Sequence, residues 1–206
     1  MSDGAMSEDD GVTVTVSTSA QMRGLGRALA ALLRAGDLVI LSGGLGAGKT
    51  TLTQGIGEGL GVRGPITSPT FVIARVHPPV RTPGQTRAQA LVEPRPALVH
   101  ADAYRLGSVL ELDDLDLDTD TSSSVTVVEW GEGLAEGLAT DRLEITIKPV
   151  TGDKAGSVDG AEPDDAGREA EFDDADVELP RTVRISAVGE RWEGVNLPFA
   201  SPVDRL

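Results

Sequence analysis

The chain has 206 residues, enough to bury about 70% of the surface its unfolded form would expose. Hydrophobic residues make up 39% and charged residues 25%, cysteine is absent, and no apolar run approaches the roughly 20 residues a bilayer-crossing helix needs, which excludes a disulfide partner, a cysteine zinc site and a helical membrane span. A formal net charge of −15 repels phosphate backbones at long range, so direct nucleic-acid binding is a poor primary role. These features suit a cytoplasmic protein.

Residues 1–11 are acidic and polar, unlike a secretory leader, and are expected to be disordered, with Met6 offering an alternative start. Val12 to Val16 alternates Val and Thr, the period of a half-buried strand. Thr18 or Ser19 can cap a helix in which Met22, Leu25, Leu29, Leu32 and Leu33 recur at helical spacing and which Gly36 ends. Asp37 leads into Leu38-Val39-Ile40-Leu41, an apolar run read as a buried strand. After a glycine-rich loop the pattern predicts a helix from Lys49 to about Leu60, intrinsically weak because it carries Gly55, Gly57 and Gly59.

Further on, Phe71 to Val76 reads as a strand and His77 to Pro96 as a surface loop rich in Pro, Arg, Gln and Thr. Leu98-Val99-His100 is a short strand, Val109 to Leu117 a helix or turn, and Val125 to Val128 a buried strand. Leu143 to Ile147 and Thr182 to Val188 alternate as later strands. Between them Thr151 to Glu178 has too few apolar residues to pack a core and reads as a flexible insertion. The expected organisation is one domain over 12–198 with insertions near 77–96 and 151–179, and a tail over 199–206.

Gly43-Gly44-Leu45-Gly46-Ala47-Gly48-Lys49-Thr50 fits the phosphate-binding pattern G-x-x-x-x-G-K-[ST], with an apolar strand before it and a helix after it. Glycines let successive backbone N–H groups turn inward as an anion nest, and the helix N-terminus adds the positive end of a dipole. Lys49 is expected to reach the β- and γ-phosphates of a nucleotide and Thr50 to ligate Mg²⁺. The bland alternative is a glycine-rich turn with an exposed lysine.

Such a loop needs a carboxylate near the metal, usually at the C-terminal end of an apolar strand. Asp102 and Glu129 both qualify. Either can hold Mg²⁺, directly or through water, while the other orients the attacking water; a solvated acid at a strand end is the alternative for each. Thr67-Ser68-Pro69-Thr70 can sense the γ-phosphate or be an ordinary turn. Trp130 follows Glu129 and by itself reads as packing. His100 and Asp102 face the same side of a strand, which suits His100 to orienting a neighbour.

Gly43 to Thr51, Ser68-Pro69-Thr70-Phe71, His100-x-Asp102-x-Tyr104-Arg105 and Glu129-Trp130, in this order and spacing, resemble the TsaE (YjeE) family, and the resemblance runs from about Thr18 to Trp192. It implies an α/β, three-layer P-loop NTPase fold with a small mixed, mostly parallel sheet. It implies ATP/ADP and Mg²⁺ as cofactors, and slow ATP hydrolysis coupled to the proteins TsaD and TsaB, which modify a tRNA adenosine beside the anticodon, so that tRNA is met only through the complex. On that resemblance Lys49, Asp102 and Glu129 are catalytic, and Thr50 and Glu129 hold the metal. Gly44, Leu45, Gly46, Ala47, Gly48, Lys49, Thr50, Thr51, Thr70 and Trp130 lie at the nucleotide, together with a residue near Ser19 and a later arginine, Arg168 or Arg181. Two departures stand out: the family usually has Asp where this chain has Gly44, and often a basic residue near Gln54. A P-loop kinase of a small metabolite and a non-catalytic nucleotide-gated adaptor are the alternative functions.

Overall fold

The computed structural model describes residues 11–69, 73–80, 95–104, 123–150 and 179–197. The expected helix or turn over 109–117, most of the loop over 77–96, the insertion over 151–178 and the residues before 11 and after 197 lie outside the described residues.

Strand β1 (Val12–Val16) is followed by helix α1 (Ser19–Ala30). Thr18 caps α1: its hydroxyl accepts from the Gln21 amide at 3.1 Å, and the Gln21 side chain returns to the Thr18 amide at 3.3 Å. This is a capping box, which satisfies two donors that a helix start leaves open. The helix ends at Ala30, a full turn before Gly36. The reason is Asp37, whose carboxylate takes the Arg34 amide at 2.9 Å and turns the chain there.

Strand β2 (Leu38–Gly43), helix α2 (Lys49–Leu60) and strand β3 (Ala74–His77) come next. The strand expected from Phe71 begins at Ala74, because Ile73 sits at φ 68°, a left-handed conformation that no strand continues through. Strands β4 (Ala97–Asp102), β5 (Ser124–Glu129), β6 (Arg142–Pro149) and β7 (Arg181–Val188) complete the described elements.

The seven strands form one mixed sheet in the order β1-β7-β6-β2-β5-β4-β3. The central four, β6, β2, β5 and β4, run parallel, and the antiparallel pairings join β7 and β1 at one edge and β3 at the other. The central strands are near-continuous apolar runs, as buried parallel strands require. Val39 and Leu41 point to the face covered by both helices, where Leu25, Leu29, Leu52 and Ile56 complete the main core. Leu38 and Ile40 point to the other face, covered by Leu134, Ala135 and Leu138 around a short 3₁₀ turn at Glu136–Leu138.

The glycines of α2 have a packing role that composition hides. The two helices cross so closely that a Cβ on Gly26 would stand 2.5 Å from the Leu52 carbonyl oxygen, and one on Gly59 the same distance from the Ala30 Cβ. Three glycines cost roughly 1 kcal/mol of helix propensity apiece. Gly55 and Gly59 allow the close crossing that holds α2, and with it the loop at its N-terminus, against α1, whereas Gly57 faces Ile66 and Leu98.

A buried ion pair closes the far end of the sheet. Arg191 lies 3.1 Å from the Asp37 carboxylate, donates to the Leu32 carbonyl at 2.9 Å and stacks over Trp192 at 4.3 Å. It ties the segment after β7 to the turn between α1 and β2.

Candidate nucleotide site

The loop between β2 and α2 is built to leave donors open. Gly46 and Gly48 adopt φ of 69° and 106°, which favour glycine, and Gly48 occupies the cap position of α2 without any side-chain cap bond. The first amides of α2 are therefore not closed off by a capping side chain, and they carry the positive end of the helix dipole. Leu45, at the loop tip, is 97% exposed.

Lys49 lies under this loop. Its Nζ donates to the carbonyls of Gly43 and Gly44 at 2.9 and 3.0 Å and stands 3.7 Å from the centre of the Trp130 ring. Burial pushes the Lys49 pKa down, opposed by the charges of Glu129 and then Asp102. Trp130 holds its position through a left-handed backbone, φ 60°, and its ring lies 5.1 Å from that of Tyr104.

Strand register brings the two candidate acids together. Asp102 pairs with Glu129 across β4 and β5, and Glu129 pairs with Leu41 on β2, two residues before the loop. Both carboxylates are buried at the C-terminal ends of adjacent parallel strands. The Thr50 hydroxyl donates to Glu129 at 2.9 Å, and His100 Nε2 lies 2.8 Å from the same Glu129 oxygen. Asp102 accepts from the Ser68 hydroxyl at 3.3 Å and from the Tyr104 amide at 2.9 Å. His100 thus orients a neighbour, and that neighbour is Glu129.

These residues line a cleft of about 260 Å³. Ser19, Leu45, Gly46, Ala47, Gly48, Lys49, Thr50, Thr51, Asp102, Glu129 and Trp130 all border it. Gly44, expected at the nucleotide, is not among the residues that border the cleft; its carbonyl instead accepts from Lys49 Nζ at 3.0 Å. Thr70 and Arg168 lie outside the described residues. Arg181, the other arginine named from the sequence, is on the cleft wall. Met22 was not singled out as a site residue, yet its side chain meets the loop at Gly48 and lines the cleft; its helical spacing signalled only core.

The donor set suits a magnesium ion delivered with a nucleotide. The Thr50 hydroxyl and the Glu129 carboxylate are hard oxygen ligands already in contact, the small protein share that Mg²⁺ takes when phosphates and water fill its other positions. Among the described residues no cluster of three or more His, Asp or Glu forms a self-contained metal cage. The departures from the family pattern are accommodated. A Cβ on Gly44 would meet nothing within 4 Å, so the position is open to the larger residue. Gln54 accepts from Arg23 at 3.2 Å, which brings a guanidinium to the place where a basic side chain is often found.

Residues 16–155 match the family model described as threonylcarbamoyl adenosine biosynthesis protein TsaE. The tRNA threonylcarbamoyladenosine biosynthesis protein TsaE of Streptomyces coelicolor is 52% identical over 172 residues, covering 83% of this chain and 93% of the relative. The protein of the same name from Bacillus subtilis is 35% identical over 135 residues, covering 65% and 75%. The crystal structure of Bacillus subtilis YdiB superposes with a TM-score of 0.58 at 26% identity over 89% of both chains. With the fold, the loop and the match in agreement, this chain belongs to the TsaE family of threonylcarbamoyl adenosine biosynthesis proteins.

Proposed function

We propose that this chain is a Mg²⁺-dependent ATPase that acts in the cytoplasm with TsaD and TsaB in threonylcarbamoylation of a tRNA adenosine beside the anticodon. The observation that carries the reading is the meeting of Lys49, Thr50, Asp102 and Glu129 around one cleft, with Thr50 bonded to Glu129 at 2.9 Å. Lys49 and the loop amides bind the β- and γ-phosphates. Thr50 and Glu129 would hold the Mg²⁺, which when bound neutralises phosphate charge and helps align the γ-phosphoryl group. Asp102, which accepts from the Tyr104 amide, orients the attacking water in this reading. Arg181 on the cleft wall can offer positive charge to the phosphates.

The acidic balance supports a division of labour. A net charge of −15 favours contact with partner proteins over contact with tRNA. The transfer to tRNA then belongs to the partners, and ATP turnover here resets or activates their complex. ATP hydrolysis by the purified chain with Glu129→Gln and Asp102→Asn tests the site. Each substitution keeps shape and removes charge, and each is expected to lower turnover at least ~10-fold. Wild-type turnover in both variants would remove these residues from the reaction.

A further inference from the structure

Another groove, of about 330 Å³, opens where α1 and α2 meet the segment that follows α2. Arg23 lies one turn along α1 from Ser19, and Gln54 one turn along α2 from Thr50, so the groove is a neighbour of the nucleotide site. Its floor is apolar, made of Gly57, Val62, Pro65 and Ile66.

Its rim is cationic. Arg23 borders the groove, and Gln54 fixes that guanidinium against the floor: the Gln54 carbonyl oxygen accepts from Arg23 at 3.2 and 3.3 Å, while its amide donates to the Ile66 carbonyl at 2.9 Å. Arg63 is exposed between two lining residues, Val62 and Gly64. Arg75 is exposed beside the same loop and donates to the Thr67 hydroxyl at 3.4 Å. Among the described residues no carboxylate pairs with Arg23, Arg63 or Arg75. Glu58 also lines the groove, and Arg27 offsets its charge at 2.7 Å. The result is a local cationic surface on a chain of net charge −15, whose acidic residues crowd into two stretches of sequence, 111–120 and 153–178. Salt screens charge beyond about 8 Å, so the field at the groove is set by the charges on its rim.

Arginine forks match carboxylates and phosphates alike, and the floor decides between them. Single-stranded RNA is read by stacking its bases on aromatic rings, and among the described residues the groove wall has none. An apolar floor ringed by cations fits an aliphatic side chain flanked by carboxylates. We propose that this groove docks a short acidic segment of a partner protein, with a leucine-like side chain on Val62, Pro65 and Ile66 and carboxylates on Arg23 and Arg63. The loop that carries Ile66 runs on to Ser68, whose hydroxyl donates to Asp102 at 3.3 Å, so a docked segment grips a loop that reaches the nucleotide site. The docking does not depend on whether that site hydrolyses ATP.

Fluorescence anisotropy of labelled probes with the full chain tests the groove. The probes are a short peptide alternating Glu and Leu, the same peptide with Ser for Leu, and an oligouridylate of matching charge. Expected is micromolar binding of the Glu–Leu peptide that weakens as salt rises, and a loss of about 10–100-fold for the Ser version, which has no side chain to bury. Arg23→Glu and Arg63→Glu should each weaken the Glu–Leu peptide by ~10-fold or more, since each sets like charges face to face. Arg184→Glu, the same reversal on the exposed side of β7, should leave it unchanged. Melting temperatures report whether each variant folds, and Arg63→Glu, with its exposed side chain, carries the test if Arg23→Glu does not. No binding of the Glu–Leu peptide by wild type, equal binding of its Ser version, or an equal loss in Arg184→Glu would each overturn the groove. Tighter binding of oligouridylate than of the peptide would overturn the assignment to a protein partner.

Discussion

Lys49→Met separates what the site does for the fold from what it does for a ligand. The side chain is only 5% exposed, and burial pushes its pKa down, so the fold holds this charge against its preference. Methionine keeps the length and removes the charge. It also removes one donor each from the Gly43 and Gly44 carbonyls, although Gly44 still accepts from the Ala47 amide at 3.2 Å. These effects oppose each other, and the unfolding free energy should change by no more than about 1 kcal/mol. Nucleotide binding has no such offset. Two charge-assisted bonds to phosphate, at about 1.5–3 kcal/mol each, make roughly 3–6 kcal/mol, or about 10²–10⁴ in affinity. The assay is thermal unfolding with and without Mg-ATP. Ligand at 100 times its Kd stabilises by about 2.7 kcal/mol, or about 5–11 °C for a domain of this size. Wild type should show that shift, and Lys49→Met at the same ligand concentration should shift by no more than about 2 °C while melting near the ligand-free wild type. An equal shift in both proteins would refute the assignment of Lys49 to phosphate binding.

Four other outcomes follow from the same structure. The lowered Lys49 pKa means that the free site loses its ammonium below the ordinary lysine value of 10.5, so nucleotide affinity falls as pH rises through that region. In the same window the burial penalty on the charge is relieved, so ligand-free stability at this group rises, and titrating wild type against Lys49→Met isolates both effects. Gly26→Ala should cost about 1–3 kcal/mol in urea unfolding, because its Cβ would press on backbone atoms of α2; a gain in stability would contradict the close crossing. Arg191→Met should cost about 3 kcal/mol or more, since it leaves the Asp37 carboxylate buried without its cation, and an unchanged midpoint would show that the pair carries no weight. Gly44→Asp should leave the melting temperature within about 1–2 °C, because its side chain enters open space; a drop of several degrees would show that the loop needs glycine there.

Much of the site was legible because its signals are local. The phosphate loop announces itself by glycine spacing, the Thr18 cap by its Gln three residues on, and the central strands by apolar runs. The adjacency of Asp102 and Glu129 was not readable from spacing, since it depends on which strands pair and in what register. Non-local pairing leaves no periodic trace, so the expectation that the two acids serve one site came from the needs of the loop's chemistry and not from a strand register read off the sequence. The choice between Arg168 and Arg181 had the same difficulty, and only the position of β7 puts Arg181 on the wall. What the α2 glycines pack against was not readable either. Propensity marks them as weak points, whereas Gly55 and Gly59 sit where α1 comes too close for a Cβ. The end of α1 was set by a side chain, Asp37, capturing an amide. The left-handed turn at Ile73 has no signal in residue type at all.

ATP hydrolysis by the full chain, alone and with TsaD, TsaB and tRNA, is the measurement that bears most directly on the proposed role. Slow turnover that changes when the partners are added, and that is lost in Lys49→Ala, is the expected result. Turnover of the same size in Lys49→Ala would contradict the nucleotide site, and wild-type turnover indifferent to the partners would contradict the coupling.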